Sequence, residues 1–508
     1  MVFLSVFLLL ALQQGQLLLR DGDTGYHIRT GEFIIQNWTI PEHDIFSFRS
    51  PPLPWTAHEW LAEIAMALVH RAAGLTGTVI FFAFLIAATY LLLFRMLRQE
   101  SRDLLLGTLI VCFAAVSSTP HWLARPHIFS LLLTVIWYHL LNEFQYRQNN
   151  RLLVLPLLTL LWVNLHGGYI VGIFLLGIYV AGNLMASITS GEPDARRFLQ
   201  KSKTLLLIMI VCVLVSMVNP QGYHILLFPF KVTSDQFLMD HVQEFLSPNF
   251  HQPLPFKYLL LLTIAILAWS RPAVNWIELT LILTFTYMAL YSVRYITLFA
   301  IITGPILIKL IDQMKPGLPT KVKKFLDQRS THLAQTDEQT SGYFWSVVGV
   351  VAVIGLGVAG NFQYKFSEKS YPVAAVEFLK KENVSGNTFT HDDFGDYLIY
   401  AAWPERKVFV DGRTDMYGPE RLKEYLTLAH AMPGWREIVD KYAFSSILFD
   451  TQSPLANALA EDNQWQLVYS DPLASIFVRK DGRNQQLIDK YAHVKLASDE
   501  NNISVDPR

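Results

Sequence analysis

Apolar segments of membrane-crossing length recur along this chain and limit its fold more than any other feature. A helix that crosses a bilayer needs about 20 mostly apolar residues, because the hydrocarbon offers no partner to an exposed backbone group. We predict about eleven spans, near residues 2–19, 75–94, 104–119, 128–145, 152–166, 168–188, 204–218, 256–270, 276–292, 295–312 and 343–361. The first of them has no basic start and no small-x-small cleavage pattern, so it is predicted to be an uncleaved span. The fold class is therefore mainly α, a polytopic transmembrane helix bundle.

The composition agrees with a membrane protein and argues against several other classes. Of the 508 residues, 52% are hydrophobic and only 16% are charged, whereas soluble domains carry about 25% charged residues. A net charge of −1 gives no reason to expect nucleic acid as a partner, so the bilayer is the expected surroundings. Cys112 and Cys212 both lie in apolar runs, which predicts neither a disulfide framework nor a thiolate metal site.

Lys and Arg concentrate in alternate loops, which predicts the orientation of the spans. The inner loops then include the basic stretches 95–102 and 315–329, and the N-terminus is cytoplasmic. The predicted domains are a transmembrane module over 1–312, a flexible basic cytoplasmic linker over 313–342, a last transmembrane helix over 343–361, a small periplasmic α/β domain over 362–484 and a flexible tail over 485–508. Within the α/β domain we predict helices near 372–382, 418–429 and 433–441, and strands near 386–390, 407–411, 444–449, 466–470 and 474–479.

The first outer loop, residues 20–74, is predicted to hold two helices that lie along the membrane interface. Asp23 is a suitable N-cap for a helix that runs to about Trp38, because its carboxylate can accept from free backbone N–H groups. A second helix is predicted from about Trp55, where apolar residues recur at helical spacing. Their amphipathic pattern is typical of interfacial helices.

Ionisable residues gather at the predicted outer ends of the spans, and these are the candidate site residues. A carboxylate beside a His can take a proton from a hydroxyl, and Arg with His can neutralise a phosphate. The candidates for catalysis are Asp21, Asp23, His27, His58 and Glu59, and those for substrate binding are His121, Arg125, His127, His166 and Arg294. Two carboxylates also suit a divalent cation, so Mg or Mn at Asp21 and Asp23 is the one cofactor left open. Each candidate residue also has a structural alternative to a role in catalysis or binding. It could cap a helix, lie on the solvent-exposed face of an amphipathic helix, or extend its charged end to the lipid headgroups.

An acidic Asp21-Gly-Asp23 motif directly after the first span, in a loop with two interfacial helices, resembles the GT-C superfamily of polytopic glycosyltransferases. A group of poorly characterised bacterial membrane proteins related to that superfamily is more similar still. The segments that carry this resemblance are Asp21–Gly31, Trp55–Leu61, Ala124–His127, Asn164–Gly168, Asn219–Tyr223 and Val410–Gly418. The resemblance implies a polyprenyl-phosphate-linked sugar donor and a catalytic role for Asp21 or Asp23. Protein mannosyltransferases carry an Asp-Glu pair where this chain has Gly25-Tyr26, which leaves the choice between the two acids open.

The leading hypothesis is thus a glycosyltransferase of a bacterial inner membrane that works on the periplasmic side, with a glycan, lipid or protein as its acceptor. A non-catalytic membrane scaffold or receptor, whose periplasmic domain binds a partner, is one alternative. A lipid or glycan transporter is the other, although few acidic residues lie near the middle of a span, where ion-coupled transport places them.

Overall fold

The computed structural model describes residues 1–269, 274–339 and 343–497. Residue 270 of one predicted span, residues 340–342 of the predicted linker and residues 498–508 of the predicted tail lie outside the described residues. The chain forms two compact units that do not follow chain order. The first comprises Met1–Leu18, His58–Ala62 and Val69–Gln363, and the second comprises Leu19–Ala57, Glu63–Leu68 and Tyr364–Arg508.

The fold is mainly helical, as predicted, with a small sheet near the C-terminus. The helices before residue 360 are Val2–Leu8, Asp23–Asn37, Trp60–Glu100, Leu104–Ser118, His127–Arg147, Val154–Leu165, Ile170–Thr189, Asp194–Ser216, His224–Ser234, Gln236–His241, Pro255–Trp269, Trp276–Tyr291, Ile296–Met314, Thr320–Gln339 and Phe344–Val358. Within the Trp60–Glu100 helix, Ala73 and Gly74 are not helical, and Gly74 has a positive φ of 60°. A side chain there would be strained, so the glycine permits the break between a first-loop helix and the apolar segment that follows.

Among the described residues, five helical segments are long and apolar enough to cross a membrane: Trp60–Glu100, Leu104–His121, Gly167–Thr189, Asp194–Ser216 and Val293–Gly317. Shorter apolar helices occupy Val2–Gln13, Val154–Leu165, Pro255–Trp269, Trp276–Tyr291 and Phe344–Val358. Several long apolar helices indicate membrane insertion. The number of eleven spans stays a prediction.

Two segments differ from their predicted form in the first unit. The segment 2–19 is not one α-helix, because a π-helical turn over Leu9–Gln13 and a 3-10 turn over Gly15–Leu19 follow Val2–Leu8. The predicted flexible linker is wrong as far as it is described, since it is helical over Thr320–Gln339. That helix is fixed to the rest of the unit by the Ser330 hydroxyl, which accepts the Leu104 N–H at 2.8 Å.

The second unit joins part of the first predicted outer loop to the C-terminal segment. Its loop part contains the predicted helix, which runs over Asp23–Asn37. Its C-terminal part contains the helices Val373–Lys381, Asp392–Ala402, Thr414–Ala429, Trp435–Lys441, Pro454–Glu461 and Gln485–Lys490. The tail prediction is wrong at its start, because the last of these helices buries Leu487 and Ile488.

The sheet of the second unit has four strands in the order β1-β2-β4-β3. They are β1 Asn387–Thr390, β2 Phe444–Asp450, β3 Trp465–Ser470 and β4 Ala474–Arg479. Strands β1 and β2 are parallel, whereas β4 is antiparallel to both β2 and β3. The predicted strand at 407–411 is wrong, since Val408 makes only an isolated bridge, to Ser47 of the first loop. Its buried valines fill the core beside the sheet without joining it.

Candidate functional site

The first unit brings together the candidate residues that precede or follow its apolar helices. Glu59 lies immediately before the Trp60–Glu100 helix, with its Oε1 3.6 Å from His58 Nε2 and 3.6 Å from His166 Nε2. We call this arrangement the Glu59 site. It consists of Glu59, His58, His121, Arg125, His127, His166 and Arg294, all of which the sequence analysis singled out.

Three polar side chains fix the backbone around Glu59. Trp60 Nε1 donates to Asn164 Oδ1 at 2.7 Å. The Asn219 amide donates to the carbonyl oxygens of His58 at 3.0 Å and of Val163 at 2.9 Å. Three segments that are far apart in sequence, around residues 58, 164 and 219, are thereby tied together. These partly buried hydrogen bonds restrain the backbone around Glu59.

The hydrogen bonds of His166 determine which of its ring nitrogens carries the proton. Nδ1 accepts the Gly168 N–H at 2.8 Å, so it cannot itself be protonated. Ser130 Oγ accepts from Trp162 Nε1 at 2.6 Å and lies 2.7 Å from Nδ1, to which its hydroxyl donates. The proton of the neutral ring is therefore on Nε2, which faces Glu59. Burial also holds the pKa of His166 well below its usual value, and this keeps the ring neutral.

The cationic part of the Glu59 site is held by the loop around Glu244. Arg125 Nη1 donates to Glu244 Oε1 at 2.9 Å, and the Arg294 guanidinium lies 5.5 Å from the centre of the Phe245 ring. Ser292 donates to the Glu244 carbonyl at 2.8 Å. The positive charge of Arg125 holds the pKa of Glu244 far below its usual value, and the charge of Arg294 makes a smaller contribution in the same direction. Glu244 thus orients the Arg125 fork.

Histidines connect this cationic part to His166. His127 Nε2 lies 2.8 Å from the His121 carbonyl oxygen, and His121 Nε2 lies 2.9 Å from the Val293 carbonyl oxygen. The His127 and His166 rings are 6.4 Å apart. The rings of His121 and His127 both bind backbone carbonyl groups, and the two histidines therefore position the loops beside Arg125 and Arg294.

The electrostatic setting of Glu59 favours proton transfer. Burial raises the pKa of Glu59 above its usual value. Four groups oppose this shift, in decreasing order His58, Arg125, the Gly167 N–H and Arg294. A carboxylate with a raised pKa is a stronger base, and opposing cations keep a share of it ionised. The arrangement can therefore accept a proton from a hydroxyl next to a place where an anion is stabilised.

Sequence reasoning missed Ser130, Trp162 and Glu244 as parts of this site. Ser130 and Trp162 lie in apolar runs where either residue is ordinary. The one available signal is that Ser130 stands three residues after His127, which places both on one face of a helix. Glu244 stood among several charged residues of its loop, and nothing in the sequence distinguished it.

The remaining candidates, Asp21, Asp23 and His27, belong to the second unit. Asp21 Oδ1 accepts the N–H of Asp23, the first residue of the Asp23–Asn37 helix, at 2.9 Å. His27 Nδ1 lies 3.3 Å from Glu63 Oε1, and both side chains are buried. The N-cap position of this helix is Gly22 and Asp23 is its first residue, so the prediction that Asp23 is the N-cap is wrong.

The Asp23 carboxylate lies beside Gly412 and Asp396 of the C-terminal segment. A Cβ atom on Gly412 would stand 1.9 Å from Asp23 Oδ1 and 3.1 Å from Asp396 Oδ2, so only glycine fits there. The Gly412 N–H donates to Asp396 Oδ1 at 3.1 Å. Burial, followed by the charges of Asp23 and Asp411, raises the pKa of Asp396 well above its usual value. The divalent cation that the sequence left open at Asp21 and Asp23 stays a prediction.

We expect Asp396→Asn to stabilise the second unit at neutral pH by about 1–3 kcal/mol, because it removes a buried charge beside Asp23 and retains the acceptor for Gly412. A raised pKa means that the folded state binds more protons than the unfolded state. The wild-type stability therefore falls as pH rises from about 4, the usual Asp value, through the raised value. Unfolding midpoints at acidic and neutral pH should show the advantage of the variant only at neutral pH. The exposed Asp489→Asn is the control, and a variant that is less stable at both pH values would contradict the expectation.

Two further polar groups occupy the second unit. Arg413 donates to Asp411 through Nε at 2.8 Å and Nη2 at 2.6 Å, and Nη2 also donates to Asp44 at 2.8 Å. This buried network fixes the turn that follows Val410. His391, Asp392 and Asp393 offer ligand atoms within 4.8 Å of one another, and a His391–Asp392 pair at 2.9 Å accounts for their approach.

No protein-family model matches the chain, and a search of the curated proteins finds no match. The function is therefore inferred from the residues of the chain and their geometry. The most specific geometry belongs to the Glu59 site, because there a partly buried carboxylate lies beside a histidine of defined tautomer and within the field of two arginines.

Proposed function

We propose that this protein is a membrane glycosyltransferase that moves a sugar from a polyprenyl-phosphate-linked donor to a hydroxyl-bearing acceptor. The observation that carries the proposal is the Glu59 site, in which Glu59 lies 3.6 Å from the His166 Nε2 and within the field of Arg125 and Arg294. The long apolar helices of the same unit suit a donor whose carrier is a long hydrocarbon chain. The resemblance of the Asp21–Asp23 motif to GT-C glycosyltransferases adds independent support.

Each part of the site has a role in this reaction. Glu59 takes the proton of the acceptor hydroxyl as its oxygen forms a bond to the anomeric carbon of the sugar. The bond between that carbon and the phosphate oxygen breaks, and polyprenyl phosphate leaves with the electron pair. Arg125 and Arg294 stabilise the negative charge of the departing phosphate, as guanidinium groups do well. His166, neutral and protonated on Nε2, lies 3.6 Å from the Glu59 carboxylate and presents its N–H toward it.

A separate part of the proposal concerns Asp21 and Asp23, one of which has a catalytic role by the resemblance. They would hold a divalent cation, which supplies charge stabilisation when it is bound. The proposal also includes about eleven spans, a cytoplasmic N-terminus, a location in the inner membrane of a bacterium and a C-terminal domain in the periplasm. The bias of Lys and Arg toward alternate loops supports this orientation.

The test is the release of polyprenyl phosphate by the purified full chain in detergent, from synthetic polyprenyl-phosphate-linked hexoses and pentoses. We expect one donor to be consumed, and Arg294→Gln to lower kcat/KM by about 10–100-fold, since one charge-assisted contact to phosphate contributes about 1.5–3 kcal/mol. Arg294→Lys should recover part of the loss, because it restores the charge without the planar fork. If a folded chain consumes none of the donors with any added glycan, lipid or peptide acceptor, the scaffold and transporter alternatives take precedence.

A further inference from the structure

A polar cavity of about 620 Å3 lies in the first unit, at the opposite end of the apolar helices from the Glu59 site. Its lining includes Arg98, Arg102 and Lys315 together with Asp103, Asp312 and Asp327. The volume falls within the range of about 300–1,000 Å3 in which small-ligand sites occur. No part of the proposed glycosyl transfer uses this cavity.

Three apolar helices begin or end beside the cavity. The Trp60–Glu100 helix ends beside it, the Leu104–Ser118 helix begins beside it, and the Ile296–Met314 helix ends beside it. Because an apolar helix that crosses a bilayer ends where hydrocarbon gives way to water, three such ends in one place mark the headgroup layer.

The Thr320–Gln339 helix, which supplies Asp327 to the cavity, has the character of an interfacial helix. Its exposed apolar residues Val322, Phe325 and Leu333 are spaced by three and eight positions, which places them on one helical face. The first half of this helix also carries the exposed basic residues Lys321, Lys323, Lys324 and Arg329. A helix with this pattern lies in the interface plane, with its apolar face toward the acyl chains.

Some charged side chains of the lining have a polar or oppositely charged side chain as partner, and others do not. Lys315 pairs with Asp103, Glu100 pairs with Arg147 at 2.8 Å, and the Ser101 hydroxyl donates to Asp312 at 2.7 Å. Arg98 donates only to the Arg102 carbonyl, at 2.8 Å. Among the described residues, neither the Arg98 nor the Arg102 guanidinium has a carboxylate partner, and the Asp327 carboxylate has no cationic partner. Two arginines and one aspartate are thus available to a ligand.

We propose that this cavity binds the headgroup of phosphatidylethanolamine, a phospholipid that carries both a phosphodiester and a primary ammonium. Arg98 and Arg102 contact the phosphodiester, for which guanidinium groups are suited. Asp327 accepts from the ammonium. The charge pattern of the available groups, two cations and one anion, matches this headgroup better than a purely anionic one, because an anionic lipid would leave Asp327 facing a like charge.

The test measures dissociation constants by calorimetry for the full chain, purified in detergent and stripped of lipid. The probes are dihexanoyl phosphatidylethanolamine, phosphatidylcholine and phosphatidylglycerol, and the soluble compound O-phosphoethanolamine. We expect the ethanolamine lipid to bind about tenfold more tightly than each of the others, which is the effect of one charge-assisted hydrogen bond. Equal binding of phosphatidylglycerol or phosphatidylcholine would overturn the ammonium contact, and equal binding of O-phosphoethanolamine would overturn the assignment to a lipid.

Variants assign the contacts to residues. Asp327→Asn should remove the preference for ethanolamine over glycerol, and Arg98→Gln with Arg102→Gln should weaken both lipids by about tenfold or more. Arg329→Gln is the matched control, because Arg329 is exposed on the same helix, 5.6 Å from the Phe325 ring centre, and lies outside the lining. These residues lie at the surface, and an unchanged unfolding midpoint without lipid shows that each variant is folded. Unchanged binding by the double arginine variant would overturn the proposal.

Discussion

Replacing Glu59 by Gln should lower sugar transfer by about 10²–10⁴-fold, the range that a general base contributes. The amide has nearly the same shape as the carboxylate but cannot accept the proton. The loss should appear in kcat rather than in donor KM, because Glu59 acts on the acceptor hydroxyl while Arg125 and Arg294 hold the phosphate. Release of polyprenyl phosphate from the synthetic donors is the measurement.

The pH dependence of the wild-type reaction gives a second readout of the same group. Burial raises the pKa of Glu59, so activity should increase with pH as this carboxyl loses its proton, at a pH above the usual range for Glu. The exposed Glu192→Gln, which alters a pair with Arg196 at the surface, should leave rate and profile unchanged. A Glu59→Gln variant with wild-type rate would remove Glu59 from the reaction, and the Arg294 variants would then test the phosphate contact alone.

Replacing Arg413 by Met should destabilise the second unit by about 3–5 kcal/mol, the usual cost when one partner of a buried ion pair is removed. Asp44 and Asp411 would remain in the core without their shared cation, since Arg413 donates to both. The Arg413 guanidinium also lies 4.5 Å from the Trp55 ring centre. Chemical unfolding of the full chain in detergent, followed by tryptophan fluorescence, measures the effect.

The matched control for that substitution is Arg436→Met. Arg436 pairs with Asp462 at 2.9 Å but is 61% exposed, and a solvent-exposed pair contributes about 0–1 kcal/mol. A loss at Arg413 no larger than the loss at Arg436 would show that the buried network does not hold the first-loop residue Asp44 to the C-terminal segment.

The sequence predicted the helical elements well and the polar contacts poorly. Apolar runs such as 104–119 and 276–292 correspond to the helices Leu104–Ser118 and Trp276–Tyr291, because the requirement to satisfy backbone groups in hydrocarbon acts on each segment separately. The predicted strands near 444–449 and 474–479 likewise correspond to β2 and β4. The 407–411 segment has the same local character and yet is not a strand, since its neighbour is the first loop and not the sheet.

In the candidate site, too, single residues could be predicted from the sequence, whereas their partners from other parts of the chain could not. Glu59, His166 and Arg125 were identifiable one by one, as ionisable residues at the ends of apolar segments. The tautomer of His166 depends on Ser130 and Trp162, and the orientation of Arg125 depends on Glu244. Each of these partners is unremarkable within its own stretch of chain.

The amino-acid sequence by itself determined a mainly helical chain with several apolar segments long enough to cross a membrane and a small C-terminal α/β segment, because hydropathy and periodicity act within about 20 residues. Only the tertiary structure decided that Asp21, Asp23 and His27 belong to one unit and Glu59 with its histidines and arginines to the other. Hydrogen bonds and ion pairs join residues up to hundreds of positions apart, and no local pattern records which distant partner a buried polar group will find.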